Sequence, residues 1–110
     1  MPKVYIPQVP SRFDPGTGLF IPTVSMHTAD KFGDRVECLP PGAGRLHVAQ
    51  IAVALREKLR DITEEDWLVA VGDPSMIAAA SVIMFKKTGK LRLLKWDRVQ
   101  AIYLPVEIPV

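Results

Sequence analysis

Asp73, in the run Gly72-Asp73-Pro74, is the position where residue type and context best suggest chemistry. It follows Trp67–Val71, a short apolar run that reads as a strand buried on both faces, and it precedes an apolar helical stretch. Ligands of open α/β sheets bind outside the carboxyl ends of the strands, and an Asp there can hold a cation or a ribose. The plain account is that Asp73 is the helix N-cap and Pro74 the first helical residue. A second turn, Pro41-Gly42-Ala43-Gly44-Arg45, precedes another helical stretch. Its backbone N–H groups suit an anion, which makes Gly42, Gly44 and Arg45 candidate ligands. The run lacks the Gly-Lys-Ser/Thr ending of a P-loop and the spacing of a dinucleotide fingerprint, so a plain flexible turn also explains it.

The remaining reactive residues do not assemble. His27, Cys38 and His47 share no metal-ligand spacing, so no metal and no cofactor is expected. Cys38 lies in a β-compatible run and reads as a small buried hydrophobe. Glu64, Glu65 and Asp66 are adjacent, and neighbours along a chain rarely converge on one reacting atom, so a solvated turn is expected there. There is no G-x-S-x-G elbow. The expectation is a protein that is not an enzyme. Charge is a stronger signal. Lys86, Lys87, Lys90, Arg92, Lys95 and Arg98 all follow residue 85, where only Asp97 and Glu107 oppose them. Such a segment suits phosphate contacts, with Trp96 and Tyr103 as stacking groups. It suits equally a solvated sheet face and a helix end decorated as its dipole prefers. Arg92 and Lys95 are three apart on a strand and must face opposite ways, which divides the cluster.

These residues need elements to hold them. The chain has 110 residues, 48% of them apolar and 24% charged, with a net charge of +2. That composition fits one globular domain and excludes a collagen, a coiled coil, a disulfide scaffold or a disordered tail. The longest nearly uncharged apolar stretch, Pro74 to Phe85, is too short to span a bilayer, and no membrane partner is expected. One cysteine permits no intrachain disulfide and fits a reducing compartment.

Five of the ten prolines fall in residues 1–34, which read as a Pro-rich extended arm or loose hairpin turning at Asp14–Gly18. Residues 35–110 read as a small α/β domain. A short strand at Arg35–Leu39 leads to an amphipathic helix marked by Val48, Ile51, Leu55, Leu59 and Ile62. The strand Trp67–Val71 then leads to an apolar helix over Ser75–Lys87, with Gly89 beyond its end. Strands at Leu91–Trp96 and Ala101–Ile108 close the chain, with Pro105 marking an edge. The expected order is β-α-β-α-β-β, a mostly parallel core sheet with a C-terminal antiparallel hairpin.

The stretches Trp67–Pro74, Leu91–Arg98, Tyr103–Ile108 and Leu39-Pro40-Pro41-Gly42 together form a pattern: a "GDP" turn before an alanine-rich helix, an "LLKWDR" strand and a final "Y-x-P-V-E". In this the chain resembles a group of small proteins encoded by tailed bacteriophages, over roughly its C-terminal two-thirds. The resemblance implies a phage origin and carries no catalytic residue. It sets the expected location as the host cytoplasm. The expected function is a protein-binding module for a host or phage protein, using the apolar arm with Tyr5, Phe13 and Phe20. The alternative is a nucleic-acid-binding protein using the basic C-terminal segment. Nothing in the residues signals an oligomeric state.

Overall fold

The computed structural model describes residues 2–43 and 47–110. Its main sheet has five strands: β1 (Lys3–Gln8), β4 (Asp34–Leu39), β5 (Trp67–Val69), β6 (Leu91–Asp97) and β7 (Ile102–Ile108), in the spatial order β4-β1-β5-β6-β7. β1 runs parallel to β4 and β5, and β5 parallel to β6, while β6 and β7 form an antiparallel hairpin. The helices are α1 (Val48–Lys58) and α2 (Pro74–Thr88). A separate antiparallel hairpin joins β2 (Ser11–Asp14) to β3 (Leu19–Pro22), and a short 3₁₀ helix spans His27–Phe32.

The mostly parallel core and the C-terminal hairpin agree with the sequence reading, but the expected arm divides. Lys3–Gln8 is not part of an arm. It is the strand between β4 and β5, so the core sheet has one strand more than β-α-β-α-β-β allows. The apolar run Val4-Tyr5-Ile6 explains this, because all three side chains are buried. Pro7 is tolerated since it lies two residues beyond Tyr5↔Leu68, where pairing with the short β5 stops. Only residues 11–22 form the expected hairpin, closed by Asp14, which accepts from the Gly16 N–H and the Thr17 hydroxyl.

Connection handedness places the layers. β4→β5 and β5→β6 move the same way across the sheet, so right-handed crossovers put α1 and α2 on one face. There Leu55 of α1, Leu59 at its C-terminal cap, and Met76, Ala80 and Met84 of α2 pack on Tyr5, Cys38 and Leu68. β1→β4 moves the opposite way, so the 3₁₀ helix covers the other face. Met26 and Ala29 pack there on Val4, Ile6, Val69, Leu94 and Tyr103. Tyr103 fastens this layer, its hydroxyl donating to the Ser25 carbonyl at 3.1 Å. α2 begins and ends as its residues dictate: Asp73 accepts from the Ser75 N–H at 2.8 Å, and Gly89 takes the left-handed conformation at φ 74°.

The acidic turn differs from expectation at one residue. Glu64 and Glu65 are exposed, but Asp66 is buried. Its two carboxylate oxygens accept from the N–H of Lys3 at 2.8 Å and of Thr63 at 2.7 Å. A buried carboxylate is tolerated when its oxygens are satisfied, and this one ties the start of β1 to the approach to β5.

Candidate functional site

The carboxyl ends of the parallel strands gather most of the features singled out in the sequence. β1 feeds a connection toward β4, whereas β5 feeds one toward β6, so the topological switch point lies between β1 and β5. A cavity of about 600 Å³ opens at this end of the sheet. Pro10 follows β1, Thr23 and Val24 follow β3, and Ala70, Val71 and Gly72 follow β5. Lys95, Trp96 and Arg98 come from the end of β6 and its turn. Gly72 is required where it stands: its φ is 98°, and an added Cβ would contact the Gln8 carbonyl oxygen at 3.4 Å. Trp96 is half-buried and leans on Tyr103, with ring centroids 4.9 Å apart. Asp97 holds the adjoining turn, accepting from the Val99 N–H at 2.9 Å, and leaves Arg98 exposed.

Asp73 stands beside this cavity as an N-cap. The Ser75 hydroxyl and N–H both donate to it, and the hydroxyl contributes most to holding its carboxyl below the usual carboxylate range. Gly42 also lies at the carboxyl end, at φ 86°. A Cβ there would come within 3.2 Å of the Phe20 ring, so the glycine gives the β2–β3 hairpin room to fold back toward β4. Gly44 and Arg45 lie outside the described residues.

The hairpin carries the second feature. Phe13, Leu19, Phe20 and Ile21 are 51%, 64%, 41% and 37% exposed, and Phe13 and Phe20 pack edge to face at 5.4 Å. Exposed apolar side chains grouped on one small element mark interaction surfaces. Tyr5, expected to join them, does not. It is 2% exposed in the core beneath α1 and α2, because the strand that holds it is internal, and burial pushes its phenol above the ordinary range.

The basic cluster is split by β6. Lys86, Lys87 and Lys90 lie before the strand, at the end of α2, while Lys95 and Arg98 lie at its far end. Lys90 and Lys95 are five residues apart along this extended strand, about 16 Å, and Arg98 lies farther still. Arg92 belongs to neither: its guanidinium stacks on Trp67 at 3.9 Å and pairs with Glu107 at 3.0 Å. Tyr103 is buried and cannot stack on a base. One continuous basic face is therefore not formed, since charges counted along the chain fall at opposite ends of an extended strand.

Cys38 is buried, and burial pushes its thiol up to about 12, so it is not a thiolate near neutral pH. His27 and His47 are exposed, the latter as the N-cap of α1. Among the described residues, no three His, Cys, Asp or Glu side chains converge to hold a metal, and no helix is long and apolar enough to cross a membrane. The cavity escaped sequence reasoning because its walls, from Pro10 and Thr23 at the base of the hairpin, from Gly72 after β5 and from Arg98 after β6, meet only through the sheet order.

Residues 2–110 match a family model described as Phage Pam3 gp32-like protein, and the chain belongs to that family. No curated protein and no solved structure matches the chain.

Proposed function

We propose, with membership of this phage family as the premise, that the protein is a binding module that docks on a phage or host protein in the host cytoplasm through its β2–β3 hairpin, with no catalysis of its own. The observation that carries this reading is the hairpin itself. Four large apolar side chains stand exposed on eight strand residues that add nothing to the main sheet. A fold that places Val4, Tyr5 and Ile6 out of water leaves Phe13 and Phe20 in it, which favours a surface meant to be covered. The edge-to-face pair suits an aromatic anchor of the kind that dominates protein interfaces. The nucleic-acid reading is weaker, because the cations it needs divide between the two ends of β6.

The test is affinity capture from phage-infected host cells with the wild type and a Phe13→Ala/Phe20→Ala variant of equal thermal stability. A defined protein retained by the wild type and lost with the variant is the expected result. Identical retained proteins on both would overturn the hairpin as the docking element.

A further inference from the structure

Three features of the carboxyl-end cavity converge on a ligand. The cavity sits at the topological switch point, where open parallel sheets bind their ligands. Its volume, about 600 Å³, is in the range of small-molecule sites. Its lining is divided by chemistry. Pro10, Val24 and Val71 present apolar surface, and the half-buried Trp96 ring adds an aromatic one. Arg98 brings a positive charge from the turn after β6, and Lys95 brings a second from the strand end, on the face of β6 opposite to Trp96.

Those charges are uncommitted. Among the described residues neither Lys95 nor Arg98 forms an ion pair, whereas Arg35 and Arg92 each hold a carboxylate. Glu107, nine residues after Arg98, pairs with Arg92, and two further carboxylates are engaged locally. Asp97 accepts from the Val99 N–H and Asp73 from the Ser75 N–H. The N-terminus of α2 is thus occupied by its own cap, and it is the two cations that would meet an anion.

We propose that this cavity binds a small nucleoside phosphate, with its flat base against Trp96 and the apolar wall and its phosphate on Lys95 and Arg98. An aromatic face beside a fork of donors and an ammonium is the combination such a ligand requires. This site is separate from the exposed hairpin face and does not depend on the docking proposed for it.

Isothermal titration of the whole chain with AMP tests the assignment, with adenosine, inorganic phosphate and a short 5′-phosphorylated single-stranded oligonucleotide as comparison probes. The expected result is saturable AMP binding that is tighter than that of adenosine or phosphate alone. The oligonucleotide should bind no tighter than AMP. Lys95→Gln/Arg98→Gln should weaken AMP binding by tenfold or more, with the melting temperature unchanged because both residues are exposed. Lys87→Gln/Lys90→Gln, at the other end of β6, should leave it unchanged. No AMP binding up to about 5 mM overturns the proposal. So does equal loss in both double variants, which would mark general charge attraction. Phosphate binding as tightly as AMP removes the base from the assignment, and an oligonucleotide binding far more tightly overturns it in favour of nucleic acid.

Discussion

Residues 3–8 and residues 19–22 are alike in composition and opposite in fate. Lys-Val-Tyr-Ile-Pro-Gln and Leu-Phe-Ile-Pro are both short, apolar and end near a proline, and both form strands. The first is the second strand of the main sheet, with four consecutive residues buried. The second pairs only with its hairpin neighbour and is exposed throughout. Local propensity cannot separate them. What separates them is partners far along the chain. β1 finds β4 on one side and β5 on the other, and both of its faces are then covered, by α1 and α2 and by the 3₁₀ helix. Among the described residues the hairpin strands pair only with each other, and Phe20 reaches the loop at Gly42. Apolar character that stabilises the fold in one place is left in water in the other.

The sharpest way to break this contrast is to truncate inside β1. Ile6→Ala removes a fully buried side chain between the sheet and the 3₁₀ helix and should cost about 2–5 kcal/mol by urea denaturation. A cost below about 1 kcal/mol would mean that β1 is as dispensable as the hairpin strands. Next in size is Gly33→Ala, at the entrance to β4. A methyl group there runs into the Pro2 backbone carbonyl, and the residue has φ 152°. Separating β1 from β4 at this point should cost about 1–3 kcal/mol in the same measurement.

The hairpin side of the contrast predicts the reverse pattern. Phe20→Ala gives up a partly exposed ring and one edge-to-face contact, so stability should fall by no more than about 1 kcal/mol while partner retention is lost. A drop comparable with Ile6→Ala would show that the hairpin is part of the core. The smallest effect belongs to the Asp73 cap. Hydrogen bonds from Ser75 depress its folded pKa, so its contribution is present above the unfolded value of about 4 and fades as pH falls through the folded one. Asp73→Ser should melt like the wild type at neutral pH, since serine also caps. Asp73→Ala should melt slightly lower at neutral pH, with the difference closing in acid. A difference that persists unchanged at low pH would remove the carboxylate from the account.

Which features were legible in the sequence follows the same division. The Asp73-Pro74 start of α2, its Gly89 end and the β6–β7 hairpin are set by residues within a few positions of one another, and the structure has each where the residues place it. β1 is not legible because the meaning of its proline depends on partners far along the chain. Pro7 is excluded from a strand centre only if a neighbour needs its N–H, and β5 stops pairing before reaching it. Asp66 was grouped with Glu64 and Glu65 by adjacency, yet its partners include the Lys3 N–H 63 residues away. Lys95 and Arg98 were counted with Lys86, Lys87 and Lys90 for the same reason. A sum of charges does not register that an extended strand carries its two ends apart, and the cavity that Lys95 and Arg98 line exists only once β1, β5 and β6 are side by side.

The central position of β1 also sets the order of events as the chain is made. The β2–β3 hairpin closes over a few residues and can form within about 1–10 μs of its synthesis. β1, which leaves the ribosome before it, must wait for Asp34–Leu39 to gain its first neighbour and for Trp67–Val69 to gain its second. At about 5–20 residues per second, the stretch of some 60 residues between β1 and β5 takes on the order of 3–12 s to appear. Val4, Tyr5 and Ile6 have no strand partner until β4 is made and keep one open edge until β5 is made, which leaves this apolar segment open to chaperones and to mispairing with other newly made chains.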